Sequence, residues 1–193
     1  MAFGSLLGFR NAASGGGEIS NPNTNFRKNS GGNAWDANIR SVETIAASTT
    51  GYIQFTAKTT THIGGTANYV MFGLSAAGDA PTTGYTGIDY AAYLRYSGGS
   101  HYFYVYESGS LKHSGALISD GDLFSVHRDG GSGAITYKKN GVTQYTSAAT
   151  NTTELRLHAC PFALNNRALD VIMERGAGEF NPYYQDKVKT IDY

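Results

Sequence analysis

The chain has 193 residues, with 15 basic and 15 acidic side chains and a formal net charge of zero. That length suits one domain, large enough to bury roughly 70% of the surface its unfolded form exposes. Balanced charge leaves no electrostatic footprint for a phosphate backbone or anionic lipid, so neither nucleic acid nor a membrane is expected as a partner. With 25 glycines, 14 tyrosines and 9 phenylalanines against 16% charged residues, the composition points to an all-β protein rich in turns.

Along the chain, residues 1–34 come first, a glycine- and asparagine-rich stretch ("NAASGGGEISNPNTNFRKNSGGNA" from 11 to 34). It reads as an arm with isolated apolar anchors at Phe3, Leu6, Leu7 and Phe9. The opening "MAFGSLLGFR" has neither the basic n-region nor the apolar core of a classical signal peptide. Residues 35–174 form the expected body, with strands at 51–58, 67–75, 86–96, 101–107, 122–129, 134–139, 142–147, 153–160 and 167–174. A spacing of roughly ten residues between strands is what a sandwich or jelly roll produces. Asn140-Gly141 lies between two such runs and predicts a type I′ hairpin turn, which needs positive φ at both central positions. In 122–129, Phe124 and Val126 share one face while Ser125 and His127 share the other; in 134–139, Ile135 aligns with Tyr137. One apolar and one polar face marks a half-buried antiparallel sheet. Residues 175–193 form a second tail, carrying Pro182, Tyr183, Tyr184 and Tyr193 after a Gly176-Ala177-Gly178 hinge.

Candidate chemistry is sparse. His62, His101, His113, His127 and His158 show no metal-ligand spacing, and Cys160, the one cysteine, excludes an internal disulfide. His158 and Cys160 share a strand face, so a Cys/His dyad is conceivable, beside the plainer reading of a small buried thiol. Asp89 and Glu107 read as polar anchors for a ligand, or as partners of Arg95, Arg128 or turn amides. Tyr102, Tyr104 and Tyr106 form a row on one face of their strand, with Phe103 and Val105 on the other. Such a row suits sugar stacking, a subunit interface or packing beneath a second layer. Trp35, the single tryptophan, is a stacking platform or an early core anchor.

Taken together, "WDANIRS" (35–41), "GYIQFTA" (51–57), "YVMFGLS" (69–75), "IDYAAYLR" (88–95), "FYVYESGS" (103–110), "GDLFSVHRDGG" (121–131) and "ITYKKNGVTQYTS" (135–147) resemble a concanavalin A-like jelly-roll module. That lectin/glucanase-type sandwich occurs in phage and viral structural proteins and in bacterial surface proteins. The resemblance covers about residues 30–174 and implies an antiparallel two-sheet β-sandwich flanked by extended arms. The chain departs from the family's enzymes, lacking the Glu-x-Asp-x-Glu strand that glucanases of this fold carry. Nor does it carry the Asp/Asn loop cluster of the family's calcium-dependent lectins.

The expectation is therefore a non-enzymatic structural or binding protein without cofactor or metal. It would be a virion component such as a decoration, minor capsid or fibre protein of a phage. Its partners would be copies of itself or other capsid subunits, joined through Phe3, Leu6, Leu7, Phe9, Tyr183, Tyr184 and Tyr193. The alternative is a lectin-like module on a cell or virion surface, binding glycans through Tyr102, Tyr104, Tyr106 or Trp35.

Overall fold

Strands of six to nine residues dominate the body because apolar and polar side chains alternate between glycine-bearing turns. The computed structural model describes residues 9–11, 17–20, 25–59, 69–79 and 84–175. In chain order the strands are β1 (Phe9–Asn11), β2 (Gly17–Ser20), β3 (Asn25–Lys28), β4 (Ile39–Ile45), β5 (Gly51–Thr56), β6 (Val70–Ala76), β7 (Tyr90–Ser97), β8 (Ser100–Glu107), β9 (Ser110–Leu117), β10 (Leu123–Arg128), β11 (Ala134–Lys139), β12 (Val142–Thr150), β13 (Leu155–Pro161) and β14 (Arg167–Arg175). A 3-10 turn, Tyr85–Gly87, precedes β7 and delays that strand by four residues from its expected start.

Among the described residues two seven-stranded antiparallel sheets result, ordered β1-β4-β13-β6-β7-β8-β9 and β12-β11-β10-β5-β14-β3-β2. The chain is thus the all-β two-sheet sandwich that its sequence resembles. Phe55 of β5 packs on Phe72 of β6 at 4.4 Å between ring centroids, and Phe103 of β8 on Phe124 of β10 at 4.9 Å. These pairs join the sheets across the core, together with Ile53, Leu74, Val105, Val126, Ile135 and Leu157, all fully buried. Tyr137 spans the same gap from β11, and its hydroxyl donates to Glu107 Oε1 on β8 at 3.2 Å. At the Asn140-Gly141 turn both residues have positive φ, 49° and 80°, as a type I′ turn requires.

The sequence reading missed two strands of the body. β4 lies in a mixed run, IRSVETI. β9, SLKHSGAL, is an almost wholly exposed edge strand; backbone pairing to β8 recruits it without help from side-chain alternation.

The N-terminal region also differs from a free arm. β2 and β3 form a hairpin at the edge of the second sheet, with β3 against β14, and β1 pairs with β4 at the edge of the first. Phe26 and Lys28 are fully buried, so the body starts at least ten residues before the expected boundary at 35. The physical reason is edge protection: short N-terminal strands cover backbone groups that would otherwise face water. Of the expected anchors, Phe9 opens β1. Phe3, Leu6, Leu7, Tyr183, Tyr184 and Tyr193 lie outside the described residues.

Candidate functional site

Part of the outer face of the first sheet is apolar. Alternation along β6, β7, β8 and β13 sends Met71, Ala91, Tyr93, Tyr104, Tyr106 and Cys160 outward, where they cluster with Ile88, Trp35, Tyr69 and Tyr85. An apolar outer face needs cover, and the segment after β3 supplies part of it by crossing back over the sheet. Trp35 from this segment packs edge-on against Tyr85 (5.5 Å), edge-on against Tyr93 (5.6 Å) and tilted on Phe162 (5.1 Å). Tyr106 meets Tyr93 at 5.5 Å with its plane turned by 78°. Such edge-to-face contacts place the positive rim of one ring on the negative face of the next.

Between these rings lies a cavity of about 610 Å³ lined by Asn33, Trp35, Tyr69, Tyr93, Arg95, Tyr96, Tyr106 and Phe162. That volume falls within the ~300–1,000 Å³ typical of small-molecule sites. Burial pushes the Tyr93 phenol up, so its hydroxyl stays a neutral donor and acceptor. Arg95 stands exposed at the rim, its guanidinium carbon 5.5 Å from the Tyr104 ring centroid.

The walls are fixed by a buried lysine. Lys28 Nζ donates to the carbonyls of Gly32 (2.7 Å), Ala34 (2.9 Å) and Phe162 (3.1 Å) and forms an ion pair with Asp36. One ammonium therefore ties the loop bearing Asn33 and Trp35 to the loop bearing Phe162. Backbone bonds from Ala34 N–H to Phe162 O and from Phe162 N–H to Tyr69 O complete the seam. Tyr69 is held in turn by its hydroxyl, which donates to Tyr96 O at 3.1 Å.

Trp35 and Tyr106 thus come together in one cavity. Tyr104 flanks it, in contact with Tyr93 (6.2 Å), and Tyr102 follows Tyr104 along the strand at 6.5 Å, outside the lining. Sequence reasoning missed Tyr69, Tyr93, Arg95, Phe162 and Asn33. For Tyr93 and Arg95 a signal was present, since Ala91, Tyr93 and Arg95 alternate in "YAAYLRYS" and Tyr93 pairs with Tyr104 in register. Phe162 and Tyr69 reach the cavity by a long-range loop contact that no local pattern encodes.

Beside the cavity sits a buried polar cluster. His158 is fully buried, with Nε2 at 2.9 Å from Asn38 Oδ1 and Nδ1 at 2.9 Å from Ser75 Oγ and 3.4 Å from Arg40 Nη2. Asn38 Oδ1 can only accept, so Nε2 carries the proton and Nδ1 accepts from the guanidinium. Burial, reinforced by the charge of Arg40, drives the His158 pKa down to about 3. A Ser-His-Asn row of this kind resembles a nucleophilic relay, but Ser75 is fully buried and donates to Gly87 O at 2.9 Å, leaving no room for a substrate. Cys160 shares the outer face with His158, yet the ring nitrogens are already engaged. Burial pushes the thiol up to about 12, which denies it thiolate character.

The remaining polar candidates have structural partners. Asp89 Oδ2 accepts from Ala76 N–H at 2.8 Å, and burial raises its pKa. Arg128 is fully buried and donates to the backbone carbonyls of Ala46, Thr49 and Thr153. His127 stacks on Tyr52 and His113 on Tyr145. Among the described residues no group of three or more His, Cys, Asp or Glu side chains is placed to ligate a metal ion.

No family model matches this chain, and no curated protein matches it in sequence. Solved structures do resemble it. The TRIM65 PSpry domain is 16% identical with a TM-score of 0.57, the match covering 86% of this chain and 91% of that one. The potassium-bound carbohydrate recognition domain of Emp46p is 10% identical with a TM-score of 0.62, over 88% and 89% of the two chains. The alginate lyase AlgAT5, from polysaccharide lyase family 7, is 9% identical with a TM-score of 0.52, covering 82% of each. The chain has the concanavalin A-like jelly-roll fold, a fold shared by binding domains and enzymes alike.

Proposed function

We propose that this chain is a non-enzymatic binding module that holds a carbohydrate in the aromatic groove on the outer face of its first sheet. The observation that carries this reading is the lining itself. Six aromatic residues, four of them tyrosines with phenolic tips, surround a cavity that contains no carboxylate and no accessible nucleophile among its described residues. Sugar rings present C–H faces to aromatic planes and hydroxyls to Tyr and Asn groups, and this lining offers both. No His, Asp, Glu, Lys or Cys is among the described residues of the lining, which leaves only phenol groups for general acid–base chemistry there. The buried His158 and Cys160 do not face the cavity. The carbohydrate recognition domain among the structural neighbours supports the reading as a precedent for sugar binding on this fold.

A virion surface is the setting we propose for it, with a cell surface as the alternative. The resemblance to modules found in phage structural proteins supports this. The partners would be copies of the chain or other capsid proteins; the balanced charge argues against nucleic acid and anionic membranes.

Trp35, the single tryptophan, makes the test direct, because its fluorescence reports arrival of a ligand in the groove. The whole chain should bind members of a glycan array, and those glycans should shift Trp35 emission saturably. Tyr106→Ala and Phe162→Ala should each weaken binding about tenfold or more, the loss expected when a stacking face is removed. An array on which nothing binds would refute the carbohydrate reading. Depolymerisation of a bound polysaccharide would refute the non-enzymatic one.

A further inference from the structure

We infer that the groove selects a sugar bearing a carboxylate, with Arg95 as the residue that recognises the charge. This inference deepens the carbohydrate reading and rests on it. Among the described residues of the cavity lining, Arg95 is the one that carries a charge, and no Asp or Glu joins it there. β7 carries Arg95 two residues beyond Tyr93, so both project from the same face, Tyr93 in the wall and Arg95 at the mouth. Several other cations among the described residues are engaged: Arg27 with Glu18, Lys28 with Asp36, Lys58 with Asp120, and Lys139 with Asp122. Arg40 and Arg128 donate to backbone carbonyls. Arg95 makes no ion pair with a described residue, and its guanidinium carbon lies 5.5 Å from the Tyr104 ring centroid.

Stacking on an aromatic face restrains a guanidinium while leaving its in-plane N–H donors available. Two parallel N–H donors match the two oxygens of a carboxylate, a charge-assisted geometry about twice as strong as neutral hydrogen bonding. A neutral hydroxyl takes only one of them. An acidic peptide would meet the same cation, but the floor of the groove favours a sugar. It is built from β7 and β8, with Tyr69 and Phe162 entering from the ends of β6 and β13, and all four strands are paired to neighbours on both sides. No open backbone edge is present there to pair with a peptide main chain. Side-chain hydroxyls and the Asn33 amide are what the groove offers, and these suit sugar hydroxyls.

The experiment titrates the whole chain, by Trp35 fluorescence and calorimetry, with five probes. These are trigalacturonate, its methyl ester, the pair sialyllactose and lactose, and a short poly-glutamate. At least one acidic sugar should bind about tenfold or more tightly than its neutral counterpart, and its affinity should fall as salt is raised. Arg95→Gln should bring the acidic sugar down to the level of the neutral one and abolish the salt dependence of its binding. Arg95 is exposed, so this variant should keep the wild-type melting temperature. Equal binding of acidic and neutral sugars would overturn the charge selection while the carbohydrate reading stands. An acid preference that survives Arg95→Gln would remove Arg95 from the role. Binding of poly-glutamate alone would replace a sugar with an acidic peptide. No binding by any probe, on an array that also stays blank, would overturn both readings.

Discussion

Replacing Lys28 by Met tests how the groove is held open. The change preserves most of the side-chain volume and removes the ammonium that serves the carbonyls of Gly32, Ala34 and Phe162 and the carboxylate of Asp36. Breaking a buried ion pair from one side typically costs ~3–5 kcal/mol, because the other charge is left without compensation. Here the stranded partner is not wholly buried, since the Asp36 side chain is 41% exposed and water can reach it. Gly32 is exposed as well, so its carbonyl can rehydrate. The Phe162 and Ala34 carbonyls, closer to the seam, lose a charged donor worth ~1.5–3 kcal/mol each before solvent competition. A net cost of about 2–4 kcal/mol follows. For a chain of this size each kcal/mol lowers Tm by ~2–4 °C, so the expected drop is about 5–15 °C. The variant should also loosen Trp35, seen as a red shift of its emission in the still-folded protein at 20 °C, and weaken whatever the groove binds. A Tm within 2 °C of wild type together with unchanged emission would refute the idea that this ammonium pins the two loops.

Acid should destabilise the fold before carboxylates titrate. Burial depresses His158 to about 3 and His127 to about 4, whereas both take up protons near 6.5 when unfolded. The unfolded state then binds more protons below pH 6.5. The stability these residues contribute is complete above that pH and is lost as pH falls toward 4 and 3, at up to about 1.4 kcal/mol per pH unit for each. Urea unfolding midpoints measured at pH 7 and pH 5 should show the loss, and identical midpoints would contradict it. Gly141→Val should cost about 1–2 kcal/mol, because φ is 80° there and nothing stands within 4 Å of the new Cβ, which makes the cost backbone strain alone. An unchanged melting point would show that the turn rearranges freely. Gly73→Ala should cost more, since its Cβ would lie 2.0 Å from Tyr90 O within the sheet; a variant as stable as wild type would mean β6 and β7 can separate without penalty. Deleting residues 1–30 removes Phe26 and Lys28 with β3 and should abolish a cooperative melt, while a cooperative melt near the wild-type temperature would restore the view of that region as an arm.

Much of the sandwich is legible in the sequence because its strands bury one face each. Phe124 with Val126, Ile135 with Tyr137, and Phe103 with Val105 alternate in the sequence and lie in the core between the sheets. The period of two reports burial directly. Where burial does not alternate, the signal fails. β9 contributes backbone pairing and almost no buried side chain. β3 is four residues long, NFRK, inside a glycine- and asparagine-rich run, so Phe26 looks isolated until β14 is brought beside it. Lys28 carries the strongest lesson. A lysine in a polar stretch predicts a solvated surface, yet its ammonium is fully buried because loops from distant parts of the chain surround it with carbonyl oxygens.

The groove divides in the same way. Its floor comes from strands, so Tyr93 and Tyr106, with Arg95 at the mouth, could be placed on one face from spacing and register. Its mouth comes from loops, and Trp35, Asn33 and Phe162 meet there only once Lys28 has drawn them together. On a sandwich this division has a functional consequence. Strand residues that form the floor also hold the fold, through Tyr93 on Met71, Ala91 and Cys160, and cannot vary freely. The loop residues at the mouth can change with little cost to the core. Specificity should therefore lie with Asn33, Trp35 and Phe162 and with the exposed Arg95, which stacks on Tyr104 outside the core. Exchanging Asn33 or Arg95 should change which ligand binds at nearly constant Tm, whereas exchanging Tyr93 should lower Tm as well as affinity. A Tyr93→Ala variant that lost binding at wild-type stability would break this separation between floor and mouth.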